Sequence, residues 1–447
     1  MADTKIIVLD DDPTGSQTVH GCLLLTRWDV ETLRQGLADA SPLLFILTNS
    51  RGMGAEQAAA VTREVCHNLK LALAADALAR EGEGRALHPL FVSRSDSTLR
   101  GHYPVETDVM AEELGPFDAH FLTPAFFEGG RITRDSVHYL MVNGQPVPTA
   151  ETEFARDSVF GYSTSYLPDY VAEKTQGRIP ARQVERFLLA EVRAGVQDRL
   201  LALHGNACGV VDAETQSDLD RFAADVLASV AAGKRFLFRS AASLLTALAR
   251  LPAQPVAPDA MRAYARGGQP GAVIVGSHVK KTTDQLACLL QQAGVGAVEI
   301  DVDRIPTEGA ALLTATLARA AELHDQGQTA VIFTSRVERT FADQATRLAF
   351  GDQVSAFLMD VVRGLPRDLG FLISKGGITS NDVLSSGLAL GASRVLGQIL
   401  PGCSVVRCPA DHPRYPDLPV VIFPGNVGDE GALATVYGRL TGIGLGE

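Results

Sequence analysis

The sequence has few aromatic residues, no long hydrophobic run and no surplus of positive charge. Aromatic residues make up 6% of the 447 residues, with a single tryptophan. No apolar run reaches the roughly 18 residues that a membrane-spanning helix needs. Lys and Arg number 40 against 52 Asp and Glu, a formal net charge of −12. This balance argues against a general nucleic-acid-binding protein, whose surface is normally positive, but it permits a local basic pocket for a small anion.

Metal-binding and disulfide patterns are also absent. The six cysteines are scattered and include no C-x-x-C pair, which argues against a zinc cage and a disulfide framework. The ten histidines form no H-x-x-x-H or H-E-x-x-H pattern, so we expect no protein-ligated zinc. The first residues lack the basic start and apolar core of a signal peptide. We therefore expect a soluble, cytoplasmic protein with neither nucleic-acid nor membrane partners.

Short apolar runs alternate with longer helical patterns along the chain. This rhythm predicts an α/β fold in which mostly parallel sheets are flanked by helices. Strands are predicted at 6–9, 43–47, 90–92, 119–122, 272–275, 330–333, 371–373 and 420–423. Helices are predicted at 55–78, 183–203, 217–232 and 282–292.

A segment rich in proline and glycine, residues 251–271, interrupts this rhythm. Proline and glycine both oppose regular elements, so a domain boundary is expected there. At about 150 residues per domain the length suggests two or three domains. We predict two, an N-terminal domain of residues 1–255 and a C-terminal domain of residues 256–447.

Three consecutive carboxylates, Asp10, Asp11 and Asp12, follow the first predicted strand in the segment 8–16. Open α/β sheets place ligands at the carboxyl ends of their strands. Adjacent carboxylates repel one another, so they need a cation, an arginine partner or shared protons. A solvated turn is the structural alternative, because Asp, Pro and Gly favour turns.

Two enzyme classes fit this segment. Asp10-x-Asp12-x-Thr14 matches the D-x-D-x-T motif of haloacid-dehalogenase-type phosphatases, in which the first Asp is the nucleophile and the second an acid/base. Residues 46–50 and 428–430 could then supply further phosphatase motifs. Alternatively, Asp11–Gly15 forms a D-D-x-T-G loop that binds substrate and metal in a kinase.

Two further N-terminal segments carry ligand-type side chains. Residues 93–101 follow a predicted strand and combine Arg94, Arg100 and Asp96 with three hydroxyls, and residues 48–51 end another strand with a further arginine. The planar guanidinium group of arginine suits carboxylates and phosphates. Residues 124–133 add paired glycines and Arg131, a weaker signal that fits a hinge equally well. These segments predict one polar, anion-binding site.

Three C-terminal segments, 276–282, 374–380 and 423–429, each join a predicted strand to a helical stretch through glycines and hydroxyl residues. Such turns present N–H groups to an anion, and a helix N-terminus adds partial positive charge. Thr282 and Gln285 fit a capping box. The spacing is not that of a Walker A motif. Together the turns predict a nucleotide phosphate site, although glycine is also the commonest way to turn from strand to helix.

The six segments together resemble the four-carbon acid sugar kinases over essentially the whole chain. The similarity lies in the D-D-x-T-G loop, the D-S-T-L-R-G string at Asp96–Gly101, the P-A-F and G-R residues of 124–131, and the three glycine turns. The D-S-T-L-R-G string is the most specific of these. Arg94, Val279 and Pro424 depart from the family pattern.

The resemblance implies transfer of the ATP γ-phosphoryl group to the terminal (4-) hydroxyl of an acid such as D-threonate or erythronate. It implies ATP and Mg²⁺ as cofactors and an active site in a cleft that closes about residues 251–271. The expected catalytic residues are Asp11, Asp12 and Asp96. The expected substrate-binding residues are Ser50, Arg51, Arg94, Ser97, Arg100, Gly130 and Arg131. The expected nucleotide-binding residues are Gly276, Ser277, His278, Gly376, Gly377, Ile378, Thr379, Gly425, Asn426 and Gly428.

The phosphatase remains the alternative, but its first and fourth motifs would lie on opposite sides of the 251–271 segment. A nucleotide sensor without catalysis is a third class, and it has no use for carboxylates crowded beside arginines. The sequence leaves open the stereoisomer of the acid, the identity of the catalytic base and the oligomeric state, for which a homodimer is one option.

Overall fold

The computed structural model describes residues 3–80, 87–277, 279–336, 339–341, 343–425 and 427–443. His278 and Asn426, two of the expected nucleotide-binding residues, lie outside the described residues. The chain divides into two compact units, residues 1–252 and 253–447. The division therefore falls inside the segment of residues 251–271 that is rich in proline and glycine.

The described residues of unit 1 include eight strands that form a parallel sheet and three that form a separate antiparallel sheet. The parallel strands are β1 (Asp3–Asp10), β2 (Leu23–Leu25), β3 (Leu43–Leu47), β4 (Leu87–Arg94), β5 (Ala119–Thr123), β9 (Glu185–Phe187), β10 (Ala207–Val211) and β11 (Phe236–Ser240). Their order across the sheet is β2-β3-β1-β4-β11-β5-β10-β9. The antiparallel strands are β6 (Arg131–Arg134), β7 (Val137–Val142) and β8 (Gln145–Pro148).

Helices flank the parallel sheet of unit 1. They are α1 (Val30–Ala38), α2 (Ala55–Arg80), α3 (Val105–Leu114), α4 (Leu167–Lys174), α5 (Leu189–Ala194), α6 (Gln197–Ala202), α7 (Gln216–Ala231) and α8 (Ala242–Ala249). Strand β3 is buried along its whole length, as expected of a parallel strand that is covered on both faces. Helix α2 buries Ala58, Val65 and Leu69, which recur at helical spacing.

The helix predicted at residues 183–203 is wrong. Strand β9 pairs with the edge of the sheet there, and two short helices, α5 and α6, follow it. Gly195 separates the two helices with φ +112°, a conformation that a right-handed helix cannot contain. The helix predicted at 217–232 is confirmed as α7, which Thr215 and Asp218 begin with a capping box.

In unit 2, seven strands within the described part of the chain form a mixed sheet. They are β12 (Ala272–Val275), β13 (Val295–Ile300), β14 (Thr329–Thr334), β15 (Leu372–Lys375), β16 (Ala392–Leu400), β17 (Cys403–Arg407) and β18 (Pro419–Phe423). The first five in the order β13-β14-β12-β15-β18 are parallel, and β17 and β16 continue the sheet in antiparallel pairing. The helices are α9 (Lys280–Leu290), α10 (Ile305–Asp325), α11 (Gln344–Gly364), α12 (Gly377–Asp382) and α13 (Ala432–Thr441).

The core of unit 2 lies between this sheet and helices α9 and α13. Val273, Val331 and Ile373, from three parallel strands, pack in one cluster with Leu286 of α9 and Leu433 of α13. The cluster fixes where β12, β15 and β18 end, and therefore where the turns that follow them lie.

The capping box predicted for helix α9 is wrong. The helix begins at Lys280, with Val279 as its N-cap, so Thr282 and Gln285 lie within the helix and are fully buried. Gln285 Nε2 instead donates to the carbonyl oxygens of Val427 and Asp429, at 3.0 and 2.8 Å. The side chain thereby fastens the loop after β18 to α9.

Among the described helices of both units, none is long and apolar enough to cross a membrane.

Candidate active site

Polar side chains end three neighbouring parallel strands of unit 1. Asp10 ends β1 and is in register with Arg94 at the end of β4, and Arg94 is in register with Ser240 at the end of β11. The carboxyl ends of parallel strands meet at one edge of a sheet, where α/β proteins bind ligands. The structure thus brings Asp10 and Arg94, which are far apart in sequence, to one edge.

Asp11 and Arg51 form a bidentate ion pair at this edge. Arg51 Nη2 lies 2.5 Å from Asp11 Oδ1, and Arg51 Nε lies 3.1 Å from Asp11 Oδ2. Ser95 Oγ donates to the same Oδ2 at 2.8 Å. Asp11 is only 2% exposed, so its carboxylate is held in place by three donors. Arg51 supplies the counter-charge that three adjacent carboxylates require.

Asp12 is the most accessible of the three carboxylates, with 21% of its side chain exposed. It accepts from Thr14 N at 2.8 Å and Thr14 Oγ1 at 2.5 Å, which closes the loop as an Asx turn. Arg51 Nη1 lies 3.2 Å from Asp12 Oδ2. Burial alone would raise the pKa of Asp12, but Arg51 and the hydrogen bonds from Thr14 lower it below its ordinary value. Asp12 is therefore ionised and faces solvent.

Asp10 lies beneath the loop and is fully buried. Burial raises its pKa to about 8, although Arg94, whose Nη1 is 3.6 Å from Asp10 Oδ1, opposes that rise. A Cβ at Gly15 would lie 1.8 Å from Asp10 Oδ2, so only glycine fits there. A buried, protonated carboxyl is a poor nucleophile, which argues against the phosphatase alternative.

Asp96 and Arg100 form a second pair close by. Arg100 Nε donates to Asp96 Oδ2 at 2.8 Å, and Thr98 donates to the same oxygen through both its N and its Oγ1. Burial would raise the pKa of Asp96, but Arg51 and Arg100 lower it well below its ordinary range. Arg100 also lies over the Phe154 ring, 4.9 Å from its centroid.

The other expected substrate-binding residues differ in their burial and in the hydrogen bonds that they make within the protein. Ser50 is buried, and its Oγ donates to Glu106 Oε1 at 2.5 Å. Ser97 is half-buried, and its carbonyl oxygen lies 2.7 Å from His138 Nε2. Gly130 has φ +72°, and Arg131 begins β6 directly after it. Burial lowers the pKa of Arg131, while Asp96 raises it and Arg100 lowers it further, so Arg131 lies within electrostatic range of that pair.

Two buried charged residues of this edge did not emerge from the sequence motifs. Glu106, on α3, lies 3.7 Å from Arg239 Nη1, and burial followed by the charge of Asp11 raises its pKa to about 7. Arg239 stands one residue before the end of β11. The sequence does contain a signal for Arg239: the apolar run 236–238 ends in Arg and Ser, as the run 90–92 ends in Ser and Arg. Glu106 has no comparable signal within its amphipathic helix.

In unit 2 the three predicted glycine turns follow three adjacent parallel strands. Gly276 follows β12, Gly376 follows β15 and Gly425 comes shortly after β18. The strand order β12-β15-β18 places these turns along one edge of the sheet. A Cβ at Gly276 would lie 2.8 Å from Thr379 Oγ1, so the first two turns are in close contact.

A buried lysine joins the second and third turns. Lys375 Nζ donates to the carbonyl oxygens of Pro424 at 2.9 Å and Gly425 at 3.3 Å, and burial lowers its pKa to about 8. Gly376, the next residue, has φ +111°, which favours glycine. Gly377 and Thr379 lie in the first turn of α12, and Ile378 between them is 74% exposed.

Basic side chains surround the first and third turns. Arg336 Nη2 donates to the carbonyl oxygen of Ser277 at 2.5 Å and to Thr283 Oγ1 at 2.8 Å. Lys281 Nζ donates to the carbonyl oxygen of Gly428 at 3.2 Å. An open depression of about 630 Å³ lies beside them and is lined by Lys280, Lys281, Asp284, Gly428, Asp429, Glu430 and Gly431. Its volume is in the range of small-molecule sites.

Within the described residues, no group of three or more Asp, Glu, His or Cys side chains is arranged to hold a metal ion. The carboxylates of Asp11, Asp12 and Asp96 are instead bound by arginine, serine or threonine. Mg²⁺ usually keeps water and substrate phosphates among its ligands and takes only one or two protein carboxylates.

Comparison with known proteins assigns a domain to each half of the chain. Residues 6–248 match a family model described as a sugar-binding N-terminal domain, and residues 272–433 match one described as a nucleotide-binding C-terminal domain. A D-erythronate kinase from Heliobacterium modesticaldum is 31% identical over 232 residues, which are 49% of this chain and 47% of that protein. A D-threonate kinase from Bordetella bronchiseptica is 29% identical over 202 residues, 42% of this chain and 45% of that protein. The chain spans about half the length of these curated relatives.

Solved structures share the fold. A Haemophilus influenzae protein aligns with a TM-score of 0.66 and 18% identity over 97% of this chain and 100% of its own. A putative tRNA synthase from Salmonella typhimurium LT2 aligns with a TM-score of 0.67 and 19% identity over 97% of this chain and 98% of its own. At such identities the likeness concerns the fold alone. Because the two family models occupy most of the chain in the order sugar-binding, then nucleotide-binding, the chain belongs to the four-carbon acid sugar kinase family.

Proposed function

We propose that this protein transfers the γ-phosphoryl group of ATP to the terminal hydroxyl of a four-carbon acid sugar such as D-threonate or erythronate. The observation that carries the proposal is the ordered cluster at the carboxyl edge of the unit 1 sheet, where Arg51 binds both Asp11 and Asp12. The names of the two kinase relatives agree with it.

The exposure of Asp12 supports a role as the catalytic base. Asp12 is ionised and reaches solvent, whereas Asp11 is buried and engaged by Arg51 and Ser95. Phosphoryl transfer needs positioning and charge stabilisation more than a strong base, so an ordinary carboxylate suffices. We assign Asp12 to accept the proton of the attacking hydroxyl and Asp11 to hold Arg51 in place. Asp96 has partners of the same kind in Arg100 and Thr98, but only 13% of its side chain is exposed against 21% for Asp12, which makes it the weaker candidate.

The arginines divide into two groups. Arg51 and Arg100 are each bound by carboxylates, so their first role is to order the loops that carry Asp11 and Asp96. Arg94 and Arg131 keep buried guanidinium nitrogens without hydrogen-bond partners, and the nearest carboxylate oxygens to Arg94 Nη1, on Asp10 and Asp11, are 3.6 and 3.9 Å away. Such nitrogens favour an anionic ligand, and we assign them to the carboxylate of the acid sugar.

In unit 2 the glycine turns and the start of α9 would hold the nucleotide phosphates. Backbone N–H groups at glycine turns and helix N-termini suit anions. Lys280, Lys281 and Arg336 add positive charge beside the first turn. Mg²⁺ enters this proposal as the counter-ion of the nucleotide phosphates, with phosphate and water oxygens as most of its ligands.

A kinase assay over stereoisomeric acids tests the proposal. Purified protein with Mg-ATP is given D- and L-threonate and D- and L-erythronate, and ADP formation is followed while ³¹P NMR locates the new phosphate. We expect one or two of the acids to become phosphorylated at the terminal carbon.

Two outcomes would contradict the proposal. Phosphate release from sugar phosphates without ATP would support the phosphatase. ATP binding without turnover of any acid would support the nucleotide sensor.

A further inference from the structure

A small cavity lies in unit 1 at the carboxyl ends of β4, β5 and β11. Its volume is about 10 Å³, and it is lined by Ser95, Asp96, Leu99, Leu122, Pro124, Tyr170, Arg239 and Ser240. A volume of this size holds about one water-sized group, so the cavity has room for a single oxygen atom. Ser95 and Asp96 belong to the segment that carries the sugar-binding motif, which places the cavity beside the proposed substrate.

Two polar atoms of the lining residues lack hydrogen-bond partners although they are buried. They are Oγ of Ser240, which is 2% exposed, and Nη1 of Arg239, whose side chain is 7% exposed. Arg239 Nη1 lies 3.7 Å from Glu106 Oε2, which is within ion-pair distance but too long for a hydrogen bond. Arg239 Nη2, by contrast, donates to the carbonyl oxygen of Arg100 at 3.0 Å. Buried polar groups in folded proteins are normally paired, and a leftover donor in a cavity points to a ligand that completes it.

The negative charge of Asp96 determines which kind of oxygen atom can bind in the cavity. A carboxylate or phosphate oxygen placed in this cavity would be repelled by Asp96, whereas a hydroxyl could donate to it. The same hydroxyl could accept from Arg239. Leu99, Leu122, Pro124 and Tyr170 close the remaining walls. The cavity therefore offers a donor and an acceptor to one hydroxyl group and leaves no space for a larger substituent.

We propose that this cavity binds one secondary hydroxyl of the acid sugar, with Arg239 and Ser240 as specificity-determining residues and Asp96 as the acceptor. The inference rests on the proposed function and names the part of the substrate that these residues recognise. It predicts that the two residues discriminate between acids by the presence and placement of the C2 or C3 hydroxyl.

Ser240→Ala is the most discriminating variant. Its hydroxyl has no partner in the protein, so its removal should leave the melting temperature unchanged or higher. The value of kcat/KM for the acid should nevertheless fall by about tenfold, the usual worth of one hydrogen bond, while KM for ATP stays the same. Arg239→Met should lower kcat/KM further, on the order of a hundredfold, because a charged donor is lost.

Thr123→Val provides the matched control. Thr123 is the β5 residue in register with Ser240, it is fully buried, and its Oγ1 also lacks a partner, but it does not line the cavity. This variant should keep the kcat/KM of the wild type. An equal loss in Thr123→Val and Ser240→Ala would show a general packing effect and overturn the assignment.

Deoxy acids give the direct readout. The 2-deoxy and 3-deoxy analogues of the preferred acid are compared in wild type and Ser240→Ala, by kcat/KM or by inhibition constant where turnover is slow. The penalty of the substitution should disappear for one analogue, the one that lacks the bound hydroxyl, and persist for the other. An equal penalty with both analogues, or no penalty with the parent acid, would overturn the inference.

The proposed function and the proposed role of the cavity can be disproved separately. If the wild type phosphorylates none of the acids, the proposed function is wrong. If the wild type is active and Ser240→Ala matches it on every acid, only the role of the cavity is wrong.

Discussion

The two units present polar groups at their sheet edges in different ways. In unit 1 the edge is crowded with charged and polar side chains that bind one another, as Asp11, Arg51 and Ser95 do. In unit 2 the edge consists of glycine turns held from below by side chains such as Lys375 and Gln285. The first arrangement can tell one hydroxyl pattern from another, because each side chain has a fixed direction and charge. The second suits phosphate, which every nucleotide shares.

The two units also differ in how burial changes the pKa values of their charged side chains. Unit 1 buries carboxylates and arginines together, so Asp12 and Asp96 stay ionised while Asp10 and Glu106, which are less well paired, have raised pKa values. Unit 2 buries Lys375 against two carbonyl oxygens, and its pKa falls. Side-chain networks set the chemistry of the first edge, and backbone shape sets that of the second.

Asp11→Asn should have the largest effect and should be confined to the unit 1 ligand. The variant removes the charge that holds Arg51, and Arg51 in turn positions the assigned base Asp12. We therefore expect kcat/KM for the acid to fall by about 10³-fold, within the range that general-base catalysis contributes. KM for ATP should change less than twofold. Steady-state kinetics with each substrate varied, and Asp220→Asn on the exposed face of α7 as control, would check this. An equal loss of ATP affinity would break the division between the units.

Gly376→Ala should weaken nucleotide binding and leave binding of the acid unchanged. An alanine at φ +111° costs about 1–3 kcal/mol of strain, which the turn can relieve only by moving. We expect KM for ATP to rise about tenfold or more, with KM for the acid unchanged. Gly327→Ala is the matched control, since Gly327 also has a positive φ but lies in open space between α10 and β14. It should lose a similar stability in a melting experiment and keep both KM values.

Asp10→Asn should have a small effect on activity. Because burial raises the pKa of Asp10 to about 8, the residue is largely protonated at neutral pH, and asparagine is close to it in shape and charge. We expect kcat/KM to change by less than about tenfold. The phosphatase alternative makes Asp10 the nucleophile, so a complete loss of activity would revive that alternative.

Lys375→Met should change how the free energy of unfolding depends on pH. It should not change substrate specificity. The pKa of Lys375 is lowered from 10.5 to about 8 by burial, so between these values the unfolded chain binds more protons than the folded one. The stability of the wild type should therefore rise relative to Lys375→Met as the pH increases from about 8 toward 10. Urea unfolding of both proteins at pH 7, 8, 9 and 10 would show it, and a constant difference would contradict a depressed pKa.

Much of the fold was predictable because buried parallel strands are short apolar runs. Strands β1, β3, β12 and β18 coincide closely with their predicted positions for this reason. The helix predicted at 183–203 was wrong because a three-residue edge strand and Gly195 leave only a weak mark in the pattern. Register and edge position depend on partner strands, which the local sequence does not contain.

The candidate site was predictable where motifs are contiguous, as at Asp11–Gly15 and Asp96–Gly101. It was not predictable where a residue acts from a distant element. Glu106 reaches the edge from α3 without a motif around it, and Arg239 reaches it from β11, where only the polar end of an apolar run marks it. The sequence likewise could not rank Asp11 and Asp12, because Asp11 is buried against Ser95 and Arg51, which lie in the segments after β4 and β3.

Hydrogen–deuterium exchange with each ligand alone would test the division between the two units most directly. The preferred acid without nucleotide should slow exchange in peptides that cover residues 10–16 and 94–101. A non-hydrolysable ATP analogue without acid should slow exchange in peptides that cover 276–283, 376–380 and 424–429. Protection by the nucleotide in the first set, or by the acid in the second, would contradict the assignment of one ligand to each unit.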